Sequence, residues 1–89
     1  MMKKITMFTR ESCPYCKAAI RLMNKLFKEN SKYTALEIEM IDELVYPDIA
    51  EKYDYWYVPT YYVGEAKVHE GAASLRKIRK VFDTALEEV

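Results

Sequence analysis

The feature that most restricts this chain is the tetrapeptide Cys13, Pro14, Tyr15, Cys16, which stands where a short β-rich run gives way to an amphipathic pattern. Lys3 to Thr9 is rich in β-branched and apolar types and reads as a strand, and Arg10 to Ser12 turns the chain toward a helix. Pro14 fits the first helical position, where its missing N–H costs nothing. Behind it Tyr15, Ala19, Leu22 and Leu26, with Ile20, Met23 and Phe27 beside them, recur at helical spacing. Lys17, Arg21, Asn24 and Lys28 take the other side, and the helix is expected to run to about Asn30. Cysteines at this spacing in a first helical turn share a face, close enough for a disulfide to form without backbone movement.

The two sulfurs should differ in chemistry. Cys13 falls at the cap position, where its sulfur can accept from the free amides of Tyr15 and Cys16 while the helix dipole favours the thiolate. Thiols so placed have pKa values lowered from about 8.5 into the range of roughly 3.5 to 7.5. Cys16, one turn inside, is more shielded; it should stay a thiol until a mixed disulfide forms on Cys13 and then attack that bond. The same spacing suits half of a tetrahedral zinc site, yet the chain has no other cysteine and His69 is its only histidine. No metal site is assigned, and His69 reads as a surface hairpin residue.

Further along, Leu36, Ile38 and Met40 alternate with Glu37 and Glu39 as in a strand with one buried face, and Pro47 opens a short helix through about Lys52. Thr60 to Val63 is β-rich, Gly64 to Ala66 is a turn, and Lys67 to Glu70 returns as a hairpin partner. Leu75, Ile78, Phe82 and Leu86 mark a final amphipathic helix. That helix carries Arg76, Lys77, Arg79 and Lys80 early and Glu87 and Glu88 late, an order that the helix dipole does not favour. The order β, α, β, α, β, β, α describes one α/β domain over residues 1–89.

With 51% hydrophobic and 31% charged residues the chain is an ordinary globular protein, and at 89 residues its core must be modest. A formal net charge of zero argues against nucleic-acid binding through bulk electrostatics. Charge is unevenly placed: residues 1–28 hold seven bases against Glu11 alone, and residues 37–55 hold seven acids against Lys52. The early apolar run, Ile5 to Phe8, is interrupted by Thr6 and is too short for a signal-peptide core, and no stretch is long enough for a membrane span. A cytoplasmic protein is expected, where structural disulfides are rare and a closely spaced cysteine pair points to catalysis or metal binding.

Cys-Pro-Tyr-Cys after a first strand resembles the dithiol glutaredoxins, a branch of the thioredoxin-fold family, and the element order matches over essentially the whole chain. Val58-Pro59 stands where that family has a Val-Pro pair with a cis proline, and Arg10 occupies the place of a basic residue that contacts a glutathione carboxylate. The resemblance implies a thioredoxin-like α/β fold, with a central four-stranded mixed sheet flanked by three helices. It also implies a thiol–disulfide oxidoreductase acting on protein or glutathione mixed disulfides through Cys13 and Cys16. By it, Pro59 is cis, lies opposite Cys13, and leaves the Val58 amide and carbonyl free to pair with an extended substrate. Tyr15, Tyr55, Trp56, Tyr57, Tyr61 and Tyr62 concentrate near that site. Arg10, Tyr15, Tyr57, Val58 and Pro59 form the expected substrate-binding set, while Tyr61 and Tyr62 read as alternating core and surface strand residues.

The chain departs from the family in two places. Tyr57 stands where Thr is usual, and the Gly-Gly pair and following Asp that hold the γ-glutamyl end of glutathione correspond to His69, Glu70, Gly71, Ala72 and Ala73. Residues Lys67 to Ala72 instead resemble the end of a thioredoxin hairpin. The expected partners are disulfide-containing proteins, with glutathione or a thioredoxin-reductase-type donor supplying electrons. No bound cofactor, nucleic acid or membrane is expected, and the expected state is a monomer. The alternative class is a glutathione-dependent iron–sulfur cluster binding or carrier protein, against which Pro14 argues by stiffening the turn that would admit a cluster.

Overall fold

The β-rich run near the start forms strand β1 (Ile5–Thr9), whose five residues are all buried in the computed structural model, which describes residues 2–87. Lys3 and Lys4 lie before it, exposed. A strand covered on both faces belongs in the middle of a sheet. It pairs in parallel with β2 (Ile38–Asp42) and antiparallel with β3 (Thr60–Val63), and β3 pairs antiparallel with β4 (Ala66–Glu70). The sheet order is β2-β1-β3-β4. Helices α1 (Pro14–Glu29), α2 (Pro47–Ala50) and α3 (Leu75–Leu86) complete a thioredoxin-like α/β architecture, as the motif implied.

The alternation of β1 and β3 divides the apolar residues between two cores. Ile5, Met7, Tyr61 and Val63 meet Ala19, Met23 and Leu26 of α1 and Ile78, Val81, Phe82 and Ala85 of α3. Phe82 is fully buried, with the rings of Phe27 and Tyr33 centred 5.3 and 5.2 Å from its own. Between α1 and β2 the chain makes a short 3-10 helix, Ser31–Ala35, which the apolar pattern did not announce. Asn30 starts it by accepting from the Lys32 amide, and the Tyr33 hydroxyl donates to Asp83 at 2.6 Å, fastening it to α3. Ser74 caps α3 by accepting from the Lys77 amide at 3.2 Å. One of the early α3 bases also has a partner: Arg79 meets Glu29 of α1 at 3.2 Å.

The opposite face has less helix to cover it. Phe8, Ile41 and Tyr62 are closed over by Ala50 of α2 and by Tyr53, Tyr55 and Val58 of the segment that follows. The Phe8 ring lies 4.6 Å from that of Tyr53 and 4.9 Å from that of Tyr55. Tyr61 and Tyr62 are therefore both buried, one in each core, rather than one inside and one outside. Two further expectations are corrected here. Strand β2 begins at Ile38 and buries Ile41, while Met40 is exposed, because Leu36 belongs to the turn before the strand and β2 has no outer neighbour. Tyr15, placed in the apolar stripe of α1, is 61% exposed, since the buried face starts at Cys16.

The stacked contact at Phe82 carries the α1–α3 layer. Phe82→Ala should lower the unfolding free energy by about 3–5 kcal/mol. Urea titration followed by far-UV circular dichroism checks this; a loss below about 1 kcal/mol would mean that Phe27 and Tyr33 collapse into the space.

Candidate active site

The carboxyl end of β1 delivers the chain to the head of α1 through a tight turn, in which the Cys13 amide donates to the Arg10 carbonyl at 3.2 Å. Cys13 caps the helix in an extended conformation, φ −88° and ψ 116°, and Pro14 begins the helical turn. Cys13 is half-buried and Cys16 is 1% exposed, both as free thiols. The Cys13 Sγ lies 3.9 Å from the Val58 carbonyl oxygen, and the Val58–Pro59 peptide is cis. In this state the sulfur makes no cap hydrogen bond; the Cys16 amide donates to the Cys13 carbonyl instead, at 3.1 Å.

Opposing influences set the reactivity of Cys13. Burial pushes its thiol up, but the amide and side chain of Cys16, the amide of Tyr15 and the Arg10 charge together outweigh that and hold it below the ordinary cysteine range. Cys16 goes the other way. Burial raises it, the Thr9 side chain and Arg10 backbone pull it partly back, and Cys13 adds a further upward push. An accessible sulfur disposed to ionise thus stands one turn from a buried sulfur disposed to keep its proton.

Arg10 is not free beside Cys13. Its Nε donates to Glu43, whose other carboxylate oxygen accepts from the Tyr55 hydroxyl at 2.6 Å. Burial and then Glu43 raise the Tyr55 phenol, so the hydroxyl remains a donor. Sequence reasoning missed Glu43. The signal lay in the parallel register: Thr9 pairs with Asp42, so the next residue of each segment, Arg10 and Glu43, emerges at the same end of the sheet, with the Glu43 amide bonded to the Thr9 carbonyl at 3.0 Å.

A shallow groove crosses Cys13, with Arg10 and Glu43 on one wall and Trp56, Tyr57 and Val58 on the other. Trp56 and Tyr57 are 85% and 71% exposed. Of the expected site residues, Arg10, Cys13, Tyr57 and Val58 line this groove, Pro59 lies buried behind it, Cys16 sits beneath, and Tyr15 lies outside the lining. His69 is partly buried, and its Nε2 lies 2.9 and 3.1 Å from the carbonyl oxygens of Gly71 and Ala72. Both partners are acceptors, so Nε2 carries the hydrogen and braces the turn into α3. Among the described residues, no cluster of three or more His, Cys, Asp or Glu side chains is placed to hold a metal ion.

A family profile for the thioredoxin domain matches residues 2–83. No curated protein matches the sequence. Among solved structures, a malarial protein superposes with a TM-score of 0.71 at 17% identity, over 97% of this chain and 99% of its own. A thioredoxin-like protein from Clostridium perfringens gives 0.68 at 25% identity, over 94% of this chain and 71% of its own. Desulfothioredoxin from Desulfovibrio vulgaris Hildenborough, in its reduced form, gives 0.67 at 19% identity, over 94% and 82%. These likenesses agree with the mixed sheet, its three helices and a profile match that reaches from ahead of β1 into α3: the chain belongs to the thioredoxin domain family.

Proposed function

We propose that this protein is a thiol–disulfide oxidoreductase in which Cys13 attacks and Cys16 resolves. The observation that carries the reading is the placement of two free thiols in one helical turn, Cys13 at the helix cap opening on the groove beside the Val58 carbonyl and Cys16 buried beneath it, which favours the outer thiolate and disfavours the inner. The Cys13 thiolate attacks one sulfur of a substrate disulfide, the S–S bond breaks, and the departing sulfur leaves as a thiolate that takes a proton from water. Cys13 no longer carries charge in the resulting mixed disulfide, so its upward push on Cys16 disappears. Cys16 then loses its proton and attacks the Cys13 sulfur, releasing the second substrate thiol. The substrate gains two electrons and the protein ends with a Cys13–Cys16 disulfide, which a dithiol or thiol donor must reduce.

The motif is of the dithiol glutaredoxin type, but a thioredoxin-reductase-type donor fits the surroundings better than glutathione does. The positive group that would meet a glutathione carboxylate, Arg10, is already engaged by Glu43. At the head of α3 the Ser74 oxygen accepts from the Lys77 amide and caps the helix. Glu70, in the segment that stands where the family holds the γ-glutamyl end, is paired with Lys67 and two backbone amides. The proposed substrates are disulfide-bearing proteins laid along the groove against Val58. All named groups belong to one chain, so a monomer suffices. Among the described residues no helix is long and apolar enough to cross a membrane, and thiol cycling of this kind suits the cytoplasm.

Cys13→Ser should abolish reduction of a protein disulfide, and Cys16→Ser should accumulate a mixed disulfide with substrate that gel electrophoresis under non-reducing conditions detects. Because the Cys13 thiol is held low, iodoacetamide labelling should rise with pH along a curve displaced to lower pH than that of a free cysteine, with Cys13 modified first. Labelling of Cys16 first, or a Cys13 profile like that of a free cysteine, would reverse the assignment.

The donor is decided by comparison. Loss of one charge-assisted anchor of roughly 1.5–3 kcal/mol weakens glutathione binding by about tenfold or more. Steady-state turnover of a glutathione mixed disulfide should therefore be slow beside reduction through a thioredoxin reductase. Rapid turnover saturating at about millimolar glutathione or below would return the protein to glutathione-dependent chemistry.

A further inference from the structure

The segment between α2 and β3 carries the aromatic wall of the groove without forming a helix or strand. A surface loop of this kind ordinarily leaves its backbone polar groups to water. Here they are held from below. The amides of Trp56 and Tyr57 both donate to Oε2 of Glu70, the latter at 2.8 Å, while Oε1 accepts from the Lys67 ammonium at 2.7 Å. Lys67 also reaches the Asp54 carbonyl at 3.2 Å, to which the Tyr62 hydroxyl donates at 2.7 Å. The Thr60 hydroxyl donates to the Tyr57 carbonyl, so Tyr57 is gripped on both sides of its peptide.

This arrangement requires an irregular strand. In a regular strand, residues three apart point to opposite faces, so Lys67 and Glu70 could not both lie under the loop. The β3–β4 register shifts between Tyr61 and Tyr62: Tyr61 pairs with His69 but Tyr62 pairs with Lys67, which leaves Val68 as an extra residue. A bulge of this kind resets the alternation. It turns Lys67 and Glu70 to one face, opposite Tyr62 and Thr60, and sends Val68 to the core beneath α1 and α3. Lys67 first, then the amides of Trp56 and Tyr57, hold Glu70 at about 2, so the carboxylate is ionised wherever thiol exchange runs.

We propose that Glu70 is the positioning residue of the substrate groove and determines its specificity: it fixes Trp56 and Tyr57 beside Cys13 and consumes both of their amides. Of the amides of Trp56, Tyr57 and Val58, that of Val58 is then the one left for an extended disulfide-bearing peptide among the described residues, and recognition next to it passes to two aromatic side chains. The preferred substrate is a segment with an aromatic or large apolar residue beside its disulfide cysteine. This rests on the reading of Cys13 as the attacking thiol.

Trp56 is the only tryptophan, so its fluorescence reports the loop directly and without turnover. Glu70→Ala should shift its emission and lower its anisotropy. The same change should raise KM about tenfold for an oxidised peptide with phenylalanine beside the disulfide, and alter kcat by less than about twofold. It should also erase the preference for that peptide over one with glycine there, and leave the pH profile of Cys13 alkylation in place. Glu70→Gln keeps one oxygen for the amides and loses the Lys67 pair, so its KM should rise only about threefold. Wild-type emission, anisotropy and KM in Glu70→Ala would overturn the proposal. Should circular dichroism show that variant unfolded, wild-type values in both Glu70→Gln and Lys67→Met would do the same, and loosened Trp56 with raised KM in both would support it. If the wild-type protein reduces neither peptide, the oxidoreductase reading fails, while Trp56 anisotropy in the Glu70 variants still decides whether the clamp exists.

Discussion

Strand β1 is hydrogen-bonded along both edges and buried on both faces, and the position of every other working part follows from it. Its carboxyl end must hand the chain to α1, which puts the helix cap, and so Cys13, at that end of the sheet. Parallel pairing brings the end of β2 to the same place, and with it Glu43. Antiparallel pairing makes β3 begin there, and with it Val58 and Pro59. Three segments far apart in sequence therefore converge on one edge of the sheet, in line with the general siting of ligands at the carboxyl ends of strands. Among the described residues only Gly64 and Gly71 have positive φ, so Cys13, Glu43, Val58 and Pro59 meet without any left-handed backbone of their own.

The same geometry separates the two thiols. Cys13 belongs to the helix cap and looks outward over the groove, whereas Cys16 belongs to the first residues whose side chains enter the interior beside Thr9. Dielectric surroundings alone would raise both sulfurs, since burial opposes the charged form of either. What separates them is the supply of donors: Cys13 has the helix-end amides of Cys16 and Tyr15 and a nearby guanidinium, and Cys16 has little beyond the Thr9 side chain and the Arg10 backbone. Glu43 tempers the arrangement. By neutralising Arg10 in part, it leaves helix-end amides as the larger stabiliser of the thiolate, a contribution that is short in range and fixed by the backbone.

The local patterns were the legible ones. Pro14 between two cysteines located the head of α1, helical periodicity located α1 and α3, and Thr60 to Glu70 read as a hairpin because a glycine turn divides two β-rich runs. What escaped was set by register. Glu43 meets Arg10 across 33 positions and Tyr33 meets Asp83 across 50, and neither pairing exists until strands and helices have been aligned. The shift at Val68 is likewise invisible in a run such as Ala66 to Glu70, whose alternation looks unbroken until its partner is known. Strand β2 misled for a related reason: Leu36, Ile38 and Met40 alternate cleanly, but an edge strand with a turn before it buries Leu36 from the turn and leaves Met40 uncovered. Tyr61 and Tyr62 could be assigned to core and surface only on the assumption that the second face of the sheet is bare.

That second face is the origin of the groove. Helix α2 has four residues, too few to roof a sheet, and the rings of Tyr53 and Tyr55 take over the covering of Phe8. Covering by a loop in place of a helix removes the backbone hydrogen bonds that a helix would make for itself, and those groups have to be satisfied by side chains or water. Tyr62, Lys67, Glu70 and Thr60 supply partners at Asp54, Trp56 and Tyr57. Once the backbone is held at those points, each ring is assigned by its position in the loop: Tyr53 and Tyr55 close the core, and Trp56 and Tyr57 are left facing solvent above the cysteine. Exposed aromatic area of that size adds nothing to the core and favours association with other apolar surface. The short helix thus has two results at once, a sheet face closed by tyrosines and an aromatic wall beside Cys13, and the line between them runs through the amides that Glu70 holds.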